Sequence, residues 1–205
     1  MAAPILELDP ERPSPRHLQR AVEVLERDGL VAYPTDTYYA VGCSLRSKRG
    51  IERLYQLKGR DKKKPLSFLC ADLERVADYA KVSNFAYRTM KGLVPGAFTF
   101  ILPATRFVPD VLQSRQEEVG IRVPDAEIPR ALARLLGQPL VTTSATDHEG
   151  TVLVDAKEIK QALGNQLELI LDDGGMRHLE ASTVVSLMND GIEILRQGKG
   201  ELDLR

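Results

Sequence analysis

The chain has 205 residues, a formal net charge of -1, 43% hydrophobic residues and 28% charged residues. This length can bury a substantial core without disulfides or metals, and the composition is that of an ordinary globular protein. The balanced charge argues against a general nucleic-acid binder, which usually carries a clear basic excess. Any anion site must therefore come from local clustering of Lys and Arg.

The sequence carries no sign of export or membrane insertion. No apolar run approaches the roughly 20 residues needed to span a bilayer, and the N-terminus lacks the pattern of a secretory signal. Cys43 and Cys70 make neither a disulfide framework nor a paired-cysteine metal site. We expect a cytoplasmic, reduced protein.

Helical and extended segments alternate along the chain. The predicted helices carry an amphipathic stripe, and they begin at Ser14, Ser47, Asp72, Ser83, Ile128 and Asp155. The helix at Asp72 is expected to bury Leu73, Val76, Ala77 and Ala80. The predicted strands are short apolar runs at residues 30–33, 66–70, 98–102, 119–123, 140–143, 167–171, 182–187 and 192–195. This alternation predicts one α/β domain over residues 1–205, with helices packed on a mixed sheet.

The first candidate site is the segment Pro34-Thr35-Asp36-Thr37, which directly follows a predicted buried strand. Ligands of open α/β sheets tend to bind beyond the carboxyl ends of strands. Two hydroxyls around a carboxylate could orient a small polar substrate or a hydrated metal. A turn capped by its own side chains explains the same residues, and both interpretations remain open.

The second candidate is the basic segment 58–65, Lys-Gly-Arg-Asp-Lys-Lys-Lys-Pro. Such a loop can wrap a polyphosphate, with Arg60 binding bidentately and the lysines acting as mobile charges. It is not a Walker loop, because no glycine-rich run ends in Lys-Ser/Thr. A solvated charge run is the alternative interpretation.

Four further segments place a hydroxyl or a cation at or near a strand end. They contain Arg122, Ser144 with Thr146, Ser182 and Arg196. A cation inside the apolar strand 119–123 needs a partner, so Arg122 should meet either an internal carboxylate or an anionic ligand.

Other classes of site find less support. The three histidines (His17, His148 and His178) are scattered without metal-ligand spacing, and no Gly-x-Ser-x-Gly elbow is present. Asp172-Asp173-Gly174-Gly175 is typical of a tight turn. We therefore predict no protein-bound metal centre.

Together these segments resemble the YrdC/TsaC family of threonylcarbamoyl-AMP synthases, and its YciO branch most closely. The resemblance covers about residues 15–200. It depends on an ordered set of motifs: Pro34-Thr35-Asp36-Thr37, Lys58-Gly59-Arg60, Lys64-Pro65-Leu66, Pro95-Gly96 with Thr99, Gly120-Ile121-Arg122-Val123-Pro124, Ser144-Ala145, Ser182-Thr183-Val184-Val185 and Leu195-Arg196-x-Gly198.

The resemblance implies a twisted mixed sheet with a concave, basic cavity. It also implies a nucleotidyltransferase that converts L-threonine, bicarbonate and ATP with Mg²⁺ into threonylcarbamoyl-AMP and pyrophosphate, for the threonylcarbamoyladenosine modification of tRNA. The implied threonine-binding residues are Thr37, Arg122, Ser144 and Ser182. The implied ATP-binding residues are Lys58, Arg60, Lys64, Thr146 and Arg196, with Lys58 and Arg60 also catalytic.

Several positions depart from the family pattern. Thr146 stands where synthases commonly have Asn, and Leu69 stands where many members have His. These changes leave two alternatives: a YciO-type module that binds tRNA or double-stranded RNA without synthase activity, or an enzyme that adenylates another carbamoyl or acyl donor.

Overall fold

The computed structural model describes residues 2–59, 66–109, 112, 117–175 and 180–202. The strands are β1 (Ile5–Glu7), β2 (Val31–Tyr33), β3 (Ala40–Ser44), β4 (Ser67–Leu69), β5 (Phe98–Pro103), β6 (Glu118–Arg122), β7 (Leu140–Ser144), β8 (Leu169–Asp172), β9 (Thr183–Ser186) and β10 (Glu193–Arg196). The helices are α1 (Pro15–Glu26), α2 (Lys48–Leu57), α3 (Val76–Tyr79), α4 (Asn84–Lys91), α5 (Glu127–Leu136) and α6 (Ala156–Leu163), with a 3₁₀ turn at Met188–Asp190.

The ten strands of the described residues form one mixed sheet in the order β1-β8-β2-β3-β7-β4-β6-β5-β9-β10. Four neighbouring pairs are parallel (β1 with β8, β8 with β2, β4 with β6, β5 with β9), and the other five are antiparallel. The predicted fold class, a mixed α/β sheet with flanking helices, is confirmed. Among the residues that the structure describes, no helix is both long and apolar enough to cross a membrane.

Local sequence signals explain most helix boundaries. Ser47, Ser83 and Asp155 each accept a hydrogen bond from a backbone N–H in the first turn of the following helix. Gly137 ends α5 in the left-handed conformation, at φ 69°. The stripe predicted for α1 is buried, as Leu25 and Ala21 show with 0% exposure.

The prediction of a helix that begins at Asp72 and extends to Ala80 is wrong. Only Val76–Tyr79 is helical, because Asp72 Oδ1 accepts from the Glu74 N–H and forms a turn instead. Ala80, expected on the helix stripe, is extended and forms a β-bridge with Ala104.

Two strands were missed altogether. The five residues of β3 are all buried, and its sequence AVGCS shows no period-2 alternation and contains a glycine. The edge strand β1 has only three residues and is defined by its pairing with β8. Neither strand carries a local signal strong enough to predict it.

The sheet has two differently covered faces. On one face α2, α3, α4 and α6 pack over the main apolar core. On the other face α1 and α5 form a second core, whose strand residues all come from β8, β2, β3, β7 and β4. The remaining part of this second face, over β6, β5 and β9, is the floor of a cavity.

Candidate active site

The cavity floor is built by strand alternation. Phe100, Ile121 and Val185 point into the main core, so their strand neighbours Thr99, Arg122 and Val184 project from the opposite face. The cavity encloses about 380 Å³, within the range for small-molecule sites. Its described lining is Tyr38, Tyr39, Ala40, Lys58, Ser67, Leu69, Thr99, Ile101, Arg122, Thr142, Thr143, Ser144, Ser182, Val184 and Arg196.

Arg122, at the end of β6, is fixed by the loop after β2. Its Nη2 donates to Asp36 Oδ1 at 2.6 Å, to Thr37 Oγ1 at 2.6 Å and to Thr35 Oγ1 at 3.3 Å. The Arg122 and Asp36 side chains are only 12% and 8% exposed, so the pair is largely shielded from solvent. Of the two partners that the sequence allowed for Arg122, the structure contains the internal carboxylate.

The Thr35–Thr37 loop is itself rigid. Thr35 Oγ1 donates to the Tyr38 carbonyl and accepts from the Thr37 N–H, the side-chain turn that the sequence indicated. Asp36 Oδ2 accepts from the Asp125 N–H at 3.1 Å. The loop therefore holds Arg122 in one position, and Arg122 Nε is buried with no hydrogen-bond partner in the described ranges.

Arg196 and Ser182 form a second cluster at the far side of the floor. Arg196 donates through Nη2 to the Ser182 carbonyl at 2.8 Å and through Nε to the same oxygen at 3.3 Å. Ser182 Oγ lies 2.8 Å from Thr99 Oγ1. Gly198 supports this arrangement, because a Cβ there would lie 2.3 Å from the Ala181 carbonyl oxygen.

The described cavity lining carries positive charge. Lys58, Arg122 and Arg196 bring three cations, of which Arg122 is paired with Asp36, and no carboxylate is among the described lining residues. The whole chain, by contrast, carries a net charge of -1. Positive charge is therefore concentrated in this cavity, which favours binding of an anion.

The structure brings together most of the predicted site residues that it describes. Lys58, Arg122, Ser144, Ser182 and Arg196 line the same cavity, although they lie far apart in the sequence. Their predicted roles in binding threonine and ATP stay predictions.

Other predicted residues lie elsewhere. Thr37 is 1% exposed and touches Arg122 from behind rather than lining the cavity. Thr146 forms a bridge with Val152 and is not among the described lining residues. Arg60 and Lys64, with the rest of the basic segment after Gly59, lie outside the described residues.

Sequence reasoning missed two contributors to the site. Ser67 faces the cavity in register with Thr142, which belongs to the hydroxyl-ended segment that the sequence singled out, and Lys199 donates from its Nζ to the Asp36 carbonyl at 2.6 Å. A polar residue at the start of the apolar strand β4 was the available signal for Ser67. Lys199 carried no local signal, because its contact is 163 residues away in sequence.

Comparison with known proteins assigns the chain to a family. Residues 23–198 match the profile of the Sua5_yciO_yrdC family, whose description is Telomere recombination. The chain belongs to the Sua5/YciO/YrdC family. The resemblance inferred from the ordered motifs is thereby confirmed.

Relatives within this family are similar over nearly the whole chain. The crystal structure of E. coli YciO superposes with a TM-score of 0.91 at 34% identity, covering 97% of each chain. A threonylcarbamoyl-AMP synthase of Chromobacterium violaceum is 33% identical over 87% of this chain and 92% of its own. A structure of P. abyssi Sua5 complexed with L-threonine has a TM-score of 0.86 at 27% identity, covering 96% of this chain and 58% of that one.

Burial raises the pKa of both cysteines and of several tyrosines, among them Tyr33. It raises the pKa of Cys43 and of Cys70 to about 12 each. Burial also raises the pKa of Tyr33, whose hydroxyl donates to Thr142 Oγ1 beside the cavity. These groups stay protonated at neutral pH, so neither cysteine is suited to act as a nucleophile.

Proposed function

We propose that this protein is a threonylcarbamoyl-AMP synthase, which condenses L-threonine, bicarbonate and ATP into threonylcarbamoyl-AMP, pyrophosphate and water. The observation that carries the proposal is the cavity that combines Lys58, Arg122 and Arg196 with the hydroxyls of Ser144 and Ser182 and contains no described carboxylate. The family relationship to named synthases supports it.

The threonine side of the cavity is assigned to Arg122, Ser144 and Ser182. A threonine carboxylate needs a fixed cation, and Arg122 is fixed by Asp36 and Thr37. Thr37 then acts through Arg122 as a positioning residue. The similarity to a Sua5 structure complexed with L-threonine supports this assignment.

The nucleotide side is assigned to Lys58 and Arg196, together with Arg60 and Lys64 from the basic segment. Lys58 ends α2 at the cavity wall, so the chain enters the basic segment directly at the cavity. Loss of a charged hydrogen bond in Arg60→Ala should weaken ATP binding by about 1.5–3 kcal/mol.

The reaction needs no protein nucleophile. The amine of threonine takes up bicarbonate with loss of water, and an oxygen of the resulting carbamate attacks the α-phosphorus of ATP while the bond to pyrophosphate breaks. Lys58 and Arg196 neutralise the charge that develops on the phosphates, and Arg122 orients the amino acid. Catalysis is thus positioning combined with charge stabilisation.

Mg²⁺ enters with ATP as the metal complex of the substrate. No group of three or more metal-ligating side chains occurs within the described ranges. Phosphate oxygens and water are the usual ligands of Mg²⁺ in nucleotide sites. We therefore assign its coordination mainly to ATP.

The test is threonine-dependent pyrophosphate release. Purified protein with ATP, Mg²⁺ and bicarbonate should release pyrophosphate when L-threonine is added and much less with glycine, which lacks the hydroxymethyl part. Pyrophosphate release that does not respond to threonine would refute the synthase. Donor-dependent exchange with another acid would then indicate the adenylation alternative, and tRNA binding that falls steeply with salt would indicate the RNA-binding alternative.

A further inference from the structure

A second cavity lies at the opposite end of the central strands. Strand β3 runs from Ala40, beside the candidate active site, to Ser44, and Ser44 pairs with Leu140 at the start of β7. Leu45 and Arg46 follow β3 and line the second cavity. We name it the Phe107 cavity, and its described lining is Leu45, Arg46, Lys48, Ile51, Arg75, Asp78, Tyr79, Phe107, Pro109 and Gln138.

The Phe107 cavity is separate from the candidate active site. It encloses about 910 Å³, at the upper end of the range for small-molecule sites, and the two described linings have no residue in common.

The floor of the Phe107 cavity is apolar and well packed. Leu45, Ile51 and Tyr79 are only 7%, 1% and 8% exposed. Phe68 braces Tyr79 from below through an edge contact, with 5.6 Å between the ring centroids. Phe107 forms a wall and is 61% exposed, with the guanidinium of Arg106 lying 5.2 Å from the centroid of its ring.

The rim of the cavity is cationic. Arg46, Lys48 and Arg75 face one acidic residue, Asp78, which leaves a local excess of two positive charges. Asp78 is already paired with Arg75 at 2.9 Å. Arg46 and Lys48 are exposed, and neither forms a salt bridge within the described ranges.

We propose that the Phe107 cavity binds a small organic anion, in which an aromatic or aliphatic body carries a phosphate or a carboxylate. The body packs on Leu45, Ile51 and Tyr79 against the ring of Phe107. The anionic group pairs with Arg46 and Lys48, whose charges are available. Apolar and ionic contacts are then made by one molecule, which explains why both features occur in the same cavity.

Titrations of ¹⁵N-labelled protein, followed by amide chemical shifts, test the proposal with phenyl phosphate, phenylacetate, inorganic phosphate and phenol. Phenyl phosphate should saturate and shift the amides of residues 45–51 and of Tyr79. It should bind at least about tenfold more tightly than phosphate or phenol, because each lacks one half of the contacts. Comparison with phenylacetate separates a phosphate-selective from a carboxylate-selective site.

Matched variants test which side chains bind phenyl phosphate. Arg46→Ala with Lys48→Ala should weaken phenyl phosphate binding by about tenfold or more. Arg49 is an exposed cation of α2 that lies outside the described cavity lining, so Arg49→Ala should leave the affinity unchanged. Phe107→Ala should reduce the advantage of phenyl phosphate over inorganic phosphate.

Three results would overturn the proposal. The first is absence of saturable binding up to about 10 mM. The second is an equal loss of affinity in Arg49→Ala, which would indicate general charge attraction. The third is a set of shifts confined to residues around Lys58, Arg122 and Arg196, which would place the ligand in the candidate active site instead.

Discussion

Arg122 Nη2 and Asp36 Oδ1 lie 2.6 Å apart, although the two residues are separated by 86 positions in the chain. This contact fastens the loop after β2 to the end of β6, and Thr37 Oγ1 joins it at the same distance of 2.6 Å. Because the pair is mostly buried, it serves two purposes. It fixes the Arg122 cation at the cavity. The same cation neutralises the largely buried carboxylate of Asp36.

Removing the carboxylate should destabilise the protein. Asp36→Ala leaves the Arg122 guanidinium largely desolvated without its counter-charge, so we expect the free energy of unfolding to fall by about 2–3 kcal/mol. Asp78→Ala is the matched control, because it breaks the exposed pair with Arg75, which should contribute less than about 1 kcal/mol. Urea denaturation measures both, and equal losses in the two variants would contradict the prediction.

Truncation of Arg196 should impair catalysis. Arg196 holds the Ser182 carbonyl through two nitrogens and is assigned to the phosphates of ATP. Loss of one charged hydrogen bond to the transition state lowers kcat/KM by about 10- to 150-fold, measured by pyrophosphate release.

The control for this variant is Lys157→Ala, which removes an exposed cation from α6 outside the cavity lining. Its kcat/KM should equal that of the wild type. Arg196→Lys, which keeps the charge without the two-nitrogen contact, should lie between the wild type and Arg196→Ala. Full activity in Arg196→Ala would show that Arg196 does not contribute to catalysis.

Substitution of Gly120 should narrow the cavity from its floor. In Gly120→Ala the new Cβ would lie 3.0 Å from Ser67 Oγ and 3.5 Å from Thr99 Cγ2, so we expect KM for threonine to rise by about tenfold and the free energy of unfolding to fall by about 1–3 kcal/mol. Gly92→Ala is the control, because its Cβ would meet nothing closer than 3.7 Å. An unchanged KM in Gly120→Ala would show that this part of the floor does not contact threonine.

The buried thiols should make stability depend on alkaline pH. Burial raises the pKa of Cys43 and Cys70 from 9.0 to about 12, so the folded protein retains protons that the unfolded chain loses above about pH 9. The unfolded state then binds fewer protons, and the free energy of unfolding must fall as pH rises from about 9 towards 12.

Urea denaturation under reducing conditions at pH 8, 9 and 10 measures this slope before the tyrosines contribute strongly. The Cys43→Ala, Cys70→Ala double variant starts from a lower stability, because it leaves small cavities, but its decline between these pH values should be shallower. Parallel curves for the wild type and the double variant would contradict the prediction.

The sequence by itself determined most of the helix starts and the order of the motifs. Ser47, Ser83 and Asp155 were recognisable as caps because each bonds within its own first turn. The family followed from motifs spread over the chain, since their order and spacing are visible without a structure. The fold class followed from the alternation of periodic segments.

Some elements could be recognised only from the tertiary structure, because contacts with distant segments stabilise them. The fully buried β3 is held between β2 and β7, and Ala80 leaves the predicted helix because it pairs with Ala104. Apolar residues that recur with a period of 2 or 3.6 residues indicate which face of a strand or helix is buried, but not which distant segment covers that face.

The same division holds at the site. The sequence indicated that Arg122 needed a partner, and only the fold identified Asp36 as that partner. The fold also placed Thr37 behind Arg122 and Thr146 away from the described cavity lining. Residue types predict which chemistry is available, whereas the direction of each side chain depends on contacts between segments far apart in the chain.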